Sequence, residues 1–290
     1  MKNFTVISDP GIDDLVALVL LYKLLPKTKN CLIPTFGNAP EELTANNAKE
    51  FISFVAKTWS FKNGSKKPFN GNFEFPWPDY FHGPDGVWNI HPDTKGSTIK
   101  ELKNFPNNEN VISLGPLTDA FRLFKKNIFK EITIMGGVFN EKGNETEYAE
   151  FNIFGDSDSA SKFFNECNGI NVKVVPLDVT RKVFWDINTV KNIPENNGIN
   201  KWLKELLLAW FDKYNHEREK CFNLHDPLAV YLELFPEEAK WNKSGVKVIT
   251  KGVQRGRTVF EKDNSSCCIA MDLIDPTKIA DKIYSLIFNI

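Results

Sequence analysis

Asp9, Asp13 and Asp14 fall within six positions of the stretch VISDPGIDDLVALVLLY, directly after one apolar run and directly before another. One or two of these carboxylates can be read as helix capping, because Asp at a helix start accepts from orphan backbone N–H groups and complements the helix dipole. The third has no such use. Converging carboxylates repel one another, so the spacing suggests a divalent cation with hard oxygen ligands, Ca²⁺ or Mg²⁺ before a softer metal. HDPLAV opens a second apolar helix with His225 and Asp226, where capping is again the plain reading. SLGPLT and TIMGG place glycines at two strand ends, where they serve turns or let backbone approach a ligand. GNETEYAEFNIFGD supplies Asn144, Glu150 and Asn152, a set suited to a polyhydroxylated ligand or to a solvated loop.

These residues need a frame. FTVI, CLIPTF, NVISLG, EITIMGG and VKVVPLDV are short apolar runs with buried-strand character. Helix-length stretches follow the first three: DDLVALVLLYKLL, EELTANNAKEFISFVAK and PLTDAFRLFKK. The alternation predicts an α/β fold with a mainly parallel sheet covered on both faces, and ligands beyond the carboxyl ends of its strands. Residues 59–96 carry little periodicity and read as a long excursion of the functional kind. INKWLKELLLAWFDKY and DPLAVYLELF read as helices, VKVIT and TVFEK as a hairpin, and Pro276–Ile287 as a final helix.

The chain of 290 residues fits one large α/β domain, and no linker marks a boundary. Its 36 basic and 37 acidic residues leave a net charge of −1, with no field to attract nucleic acid or an anionic membrane. A small-molecule or protein partner is expected instead. The apolar run Leu15–Leu25 is broken at Tyr22 and Lys23, short of the roughly 20 residues of a membrane span. Five cysteines without metal-type spacing, and nothing that reads as a signal peptide, point to a reducing, cytoplasmic setting.

In this order, DPGIDD, GPLT, IMGG, GNETEYAEFNI and HDPLAV resemble the signatures of the nucleoside hydrolases, the calcium-dependent inosine–uridine-preferring family that cleaves the N-glycosidic bond of ribonucleosides. The resemblance implies one domain over residues 1–290 with a Rossmann-like sheet, a homodimer or homotetramer, a nucleoside as substrate and a role in purine or pyrimidine salvage. It makes Asp9, Asp14, Asp226 and the carbonyl of Leu114 ligands of Ca²⁺, with Asp9 as general base towards a metal-activated water. It places Asp13, Asn38 and Asn152 near the ribose, Asn144 and Glu150 at its 5′-hydroxyl, and Met135 in the pocket wall. His225 would assist the leaving base, with His82 as a second candidate, since imidazole titrates near neutral pH. Such a reaction develops an oxocarbenium-like ribosyl cation, which nearby carboxylates stabilise.

Two positions depart from the family pattern. Ile7 stands where the family has an Asp that would support the metal site, and Ser157 stands where it favours Pro. The aromatic candidates for stacking on the base are Trp210, Phe211 and Tyr214, and Trp77, Tyr80, Phe81 and Trp88. Having both His82 and His225 leans towards a broad or pyrimidine-tolerant enzyme. Three alternatives compete: a riboside-binding protein weakened in turnover through Ile7, a hydrolase of a modified N-riboside, and a phosphohydrolase with an aspartyl nucleophile. The last lacks a DxD pair after the first strand.

Overall fold

The computed structural model describes residues 2–71, 77–94, 99, 101–214, 221–261 and 266–288. In chain order the first half runs β1 Phe4–Ser8, α1 Ile12–Leu24, β2 Cys31–Pro34, α2 Glu41–Phe54, β3 Ser60–Phe61, α3 Asp79–His82, β4 Asn110–Ser113, α4 Thr118–Lys125 and β5 Glu131–Met135. It continues with α5 Phe151–Gly155, α6 Ser157–Glu166, β6 Asn171–Val175, α7 Leu177–Thr180, β7 Phe184–Asp186, α8 Ile187–Lys191, α9 Gly198–Lys213, β8 Cys221–Asn223 and α10 His225–Leu234. β9 Ala239–Val248, β10 Thr258–Glu261, β11 Cys267–Leu273 and α11 Pro276–Phe288 complete it.

The large sheet has the order β10-β9-β11-β6-β5-β4-β1-β2-β3. Its parallel part, read from β3 to β6, runs 3-2-1-4-5-6, the doubly wound order whose direction reverses between β1 and β4. Helices on the two wings of such a sheet must fall on opposite faces, because each crossover is right-handed. The core divides accordingly: α1, α2, α9, α10 and α11 bury apolar side chains on one face, and α4 and α6 on the other. Ten consecutive residues of α1, Ile12 to Leu21, are buried, as expected of a helix wrapped by sheet and neighbouring helices.

The α/β fold and the strand–helix alternation are as the sequence predicts, as are the β9–β10 hairpin and the last helix. Several elements differ. β11 and α6 are not among the elements read from the sequence; β11 joins parallel β6 to antiparallel β9. α6 holds Ala160, Phe163 and Phe164 against the sheet at helical spacing. The polar stretch around Glu150 is not a solvated loop, since Glu150 and Asn152 are buried and α5 begins there. The excursion holds β3 and α3, while residues 72–76, 95 and 96 of it lie outside the described residues. Among the described residues no helix is long and apolar enough to cross a membrane.

Ser157 opens α6 at its first helical position, directly after the cap Asp156, whose carboxylate accepts from Ser159 N–H at 3.0 Å. The Ser157 hydroxyl is buried without a hydrogen-bond partner. Proline suits this position because its fixed φ matches the helix and its missing N–H is one of the orphans. Ser157→Pro is expected to raise stability by about 0.4–1 kcal/mol in chemical denaturation. A lower unfolding midpoint would show that the ring overfills the site.

Candidate active site

The turn after β1 brings its carboxylates to the reversal point of the sheet. Gly11 caps α1, and Asp14 in the first turn accepts from Gly11 N–H at 3.1 Å, from the Ser8 hydroxyl at 2.6 Å and from Asn38 Nδ2 at 2.8 Å. Capping therefore accounts for part of Asp14's role. Asp9 accepts from Asn38 N–H through Oδ2 at 2.8 Å, while its other oxygen, Oδ1, is buried with no partner. Glycine is required around it, because a Cβ on Gly115 would lie 2.5 Å from Asp9 Oδ1. Asp226 is not a cap, contrary to the plain reading of HDPL: Leu224 holds the cap position of α10, and Asp226 points its carboxylate towards the other acids from the first turn.

Asp13, Asp14 and Asp226 each offer a carboxylate oxygen within 4.8 Å of the others, a set able to hold a metal ion. Asp9 is not in that closest set, although it is electrostatically linked to Asp14 and Asp13. All four acids are pushed upward in pKa, first by burial; the charge of neighbouring acids adds to the push on Asp9, Asp13 and Asp226, and Asp13 reaches about 8. Asp14 is the least exposed and has the most donors on it, which hold it down relative to the push of burial. An orphaned Asp9 oxygen and four mutually repelling buried carboxylates fit a divalent cation with oxygen ligands. The Leu114 carbonyl accepts from Asn152 Nδ2 at 2.6 Å, which leaves it a second lone pair.

Above this floor lies a cavity of about 320 Å³, at the lower end of small-molecule sites. Asp13, Asn38, Leu114, Met135, Asn152 and Asp226 line its acidic end. Asp9 and Asp14 sit behind that lining. At the other end are Tyr80, Phe81, Trp210 and Tyr214, with both His82 and His225 in the wall. Tyr214 stacks on Trp210 at 4.9 Å, and Phe81 meets Tyr214 edge-on at 4.7 Å. A pocket with carboxylates at one end and π-faces at the other is shaped for a molecule with a hydroxylated half and a flat half.

A model of the inosine-uridine preferring nucleoside hydrolase family matches residues 6–281. The chain belongs to that family. A curated relative from Arabidopsis thaliana, described as a probable uridine nucleosidase 2, is 28% identical over 278 residues, covering 89% of this chain and 85% of its own. A solved plant nucleoside hydrolase superposes with a TM-score of 0.88 at 23% identity over 99% of both chains. A purine-preferring ribonucleoside hydrolase from Gardnerella vaginalis does so at 0.88 and 22%, over 99% of this chain and 98% of that one. At those identities the two structures speak for a nucleoside hydrolase fold.

In this nucleoside hydrolase family member several expected site residues already have protein partners. Glu150 is the N-cap of α5, accepting from Asn152 and Ile153 N–H at 2.8 and 3.0 Å and from Gly137 N–H at 2.9 Å. Asn144 lines the cavity and accepts from Phe151 N–H at 2.9 Å. His82 accepts through Nδ1 from Ile12 N–H at 3.2 Å, and a Cβ on Gly11 would lie 2.6 Å from that nitrogen. Burial pushes His82 down to about 3, with His225 adding to it, and burial together with Arg181 does the same to His225, also to about 3. Both rings are thus neutral near pH 7, whereas their ordinary values would leave a cationic fraction. Trp77, Trp88 and Phe211 do not line the cavity; Trp88 Nε1 donates to the Phe81 carbonyl at 3.1 Å. Ile7 packs with Ile33, Val111 and Ile134, on the opposite core from α1.

Sequence reasoning missed Thr180, Arg181 and Asn223. Arg181 and Asn223 line the cavity, and the Thr180 hydroxyl lies 2.7 Å from His225 Nδ1. For Thr180 and Arg181 the signal was position: VPLDVTR runs off the carboxyl end of β6, where the fold puts its site.

The raised carboxylates set a pH dependence. A folded-state pKa above the unfolded one means the native protein holds protons that the unfolded chain releases, so stability falls as pH rises between the two values. For Asp13 that window runs from 3.8 to about 8. His82 and His225, held down to about 3, work in the opposite sense up to about pH 6.5, so the metal-free protein is expected to lose melting temperature between about pH 6.5 and 8. Ca²⁺ should raise the melting temperature and flatten that slope. A metal-free melting temperature that climbs with pH over that upper range would contradict the reading.

Proposed function

We propose that this protein hydrolyses the N-glycosidic bond of ribonucleosides to free base and ribose, with Ca²⁺ as its cation and residues 1–290 as one catalytic domain. The observation that carries this reading is the acidic cluster at the floor of a cavity whose far wall is aromatic. Asp9, Asp14, Asp226 and the Leu114 carbonyl would hold the cation; Asp14 and Asp226 share the closest acidic set with Asp13, which could join them. The bound ion would keep the carboxylates ionised and polarise water and ribose hydroxyls.

The chain's own groups do the rest. Asp9, with an oxygen free of partners, accepts the proton of the attacking water. The water oxygen bonds to the anomeric carbon, and the C–N pair leaves with the base. Asp13, Asn38 and Asn152 hold the ribose, with Asn144 and Glu150 towards its 5′-hydroxyl. Met135 closes the wall behind it. The carboxylates also stabilise positive charge developing on the sugar. Base and half of the hydrophobic wall meet at Phe81, Trp210 and Tyr214, and His225 hydrogen-bonds the leaving base, with His82 in the same wall.

All five cysteines are free, which supports a reducing cytoplasm, and a base and a ribose are products a salvage route would use. A homodimer or homotetramer is the assembly expected of the family resemblance.

Release of ribose from inosine, uridine, cytidine and adenosine, with Ca²⁺ and after chelation, tests the reading. Calcium-dependent release from at least one is expected. Silence from all four, with tight riboside binding, would instead support a pocket that only binds. Asp9→Asn should lower kcat by about 10²-fold or more while raising the melting temperature of the metal-free protein, since one repelling charge is gone. His225→Gln should slow natural nucleosides far more than an activated nitrophenyl riboside, whose leaving group needs no help. Equal losses on both would remove His225 from that role.

A further inference from the structure

α7 ends at Thr180, whose hydroxyl lies 2.7 Å from Nδ1 of His225. The Thr180 side chain is fully buried and lies outside the cavity lining, while His225 reaches the cavity. Among the described residues the contact with His225 is the only hydrogen bond made by that hydroxyl.

A buried O–H without an acceptor costs about 1–3 kcal/mol, which decides the direction of the bond. If Nδ1–H donated to Thr180, the hydroxyl proton would have nowhere to go. If Thr180 donates to Nδ1, both groups are satisfied and the ring's own proton must sit on Nε2.

Both partners are held firmly. Asp178, two residues before Thr180, accepts from Phe139 and Asn140 N–H at 2.9 and 2.7 Å, and Leu177 N–H donates to the Gly137 carbonyl at 3.0 Å. On the other side, Leu224 N–H donates to the Val183 carbonyl at 2.9 Å, and the β7–β8 ladder continues that pairing through Phe184 and Asn223. The two chain segments that carry Thr180 and His225 are therefore tied together three residues beyond the one and one residue before the other.

We propose that Thr180 is a positioning residue that fixes His225 in the Nε2–H tautomer, so that the ring offers the leaving base a hydrogen-bond donor instead of a lone pair. The inference rests on the reading that the base lies against His225. Charge that builds on the base as the C–N bond breaks is then met by the Nε2–H, and no proton need leave the ring in that step.

The test compares Thr180→Val with Thr180→Ser. Valine keeps the shape and removes the donor; serine keeps the donor. Thr180→Val is expected to lower kcat on inosine or uridine by about 10–100-fold, as loss of a partner that orients a histidine commonly does. KM and turnover of nitrophenyl riboside should stay near wild type, and Thr180→Ser should recover most of the nucleoside rate. Equal losses on both substrates, or serine no better than valine, would overturn the proposal. A nitrogen NMR spectrum of the histidine rings, with His225 assigned by its loss in His225→Gln, reads the tautomer directly in the wild-type protein. An Nε2–H pattern supports the assignment and an Nδ1–H pattern refutes it. That spectrum decides the matter even if no nucleoside is cleaved, in which case only the reading of the preceding section fails.

Discussion

Four carboxylates buried within reach of one another are the constraint around which the rest of this molecule is arranged. Burial disfavours each charge, and on Asp9, Asp13 and Asp226 the charge of neighbouring acids disfavours it further. The fold offsets part of that. Asp13 and Asp14 stand in the first turn of α1 and Asp226 in the first turn of α10, so two helix N-termini direct their positive ends at the cluster. Ser8, Gly11 and Asn38 add donors to Asp14 and Asp9. What is left over, an Asp9 oxygen with no protein partner among the described residues, is the portion open to an added cation. A doubly wound sheet can make this arrangement because its strand order reverses between β1 and β4, which opens a crevice where two strand ends and a helix start meet.

The aromatic wall is not an independent feature. His82 closes α3, yet its Nδ1 accepts from Ile12 N–H at the start of α1. Asn47 of α2 bridges the same two regions, donating to the Pro10 carbonyl and to the Asp85 carbonyl, both at 2.9 Å. Gly11 allows this close approach, since any side chain there would strike the His82 ring. A shift of the acidic turn would move His82 and, through its ring contact at 4.7 Å, Phe81. The acidic turn and the His82–Phe81 wall are thus tied together by backbone and buried polar bonds, as a reaction on two placed halves of one substrate would require.

The parts of this arrangement that were legible in the sequence are those where residue type and position both carry information. Acids crowded between two apolar runs, as in Asp9 to Asp14, have few structural uses, and the alternation of strands with helices fixes the side of the sheet on which they gather. Thr180 was not legible because a threonine in a turn has many uses, and only the pairing of Leu224 with Val183 brings it to His225. Glu150 looked like a ligand group, and the structure gives its carboxylate three backbone N–H donors; composition cannot separate those two roles. β11 was missed for a related reason. CCIAMDL contains few strong β-formers, and its place between β6 and β9 is decided by partners far away in the chain.

The neutrality of both histidines bears on how a base could be expelled. An imidazolium in the cavity wall would have to pay for burial beside Arg181, and a cation at the acidic end would raise that cost further. A neutral ring with its proton on Nε2 can still donate a hydrogen bond, and that bond strengthens as negative charge grows on the base. Any electron-rich nitrogen or oxygen on the edge of the ring system can accept it, so such a donor discriminates weakly among bases. Shape then has to do most of the selecting, through the faces of Phe81, Trp210 and Tyr214. Those rings form a single packed column, Trp210 being fully buried against Phe222 at 5.1 Å. On the function proposed above, base preference would follow from how that column sits against the acidic floor, and the hydrogen-bond donor would serve whichever base the column admits.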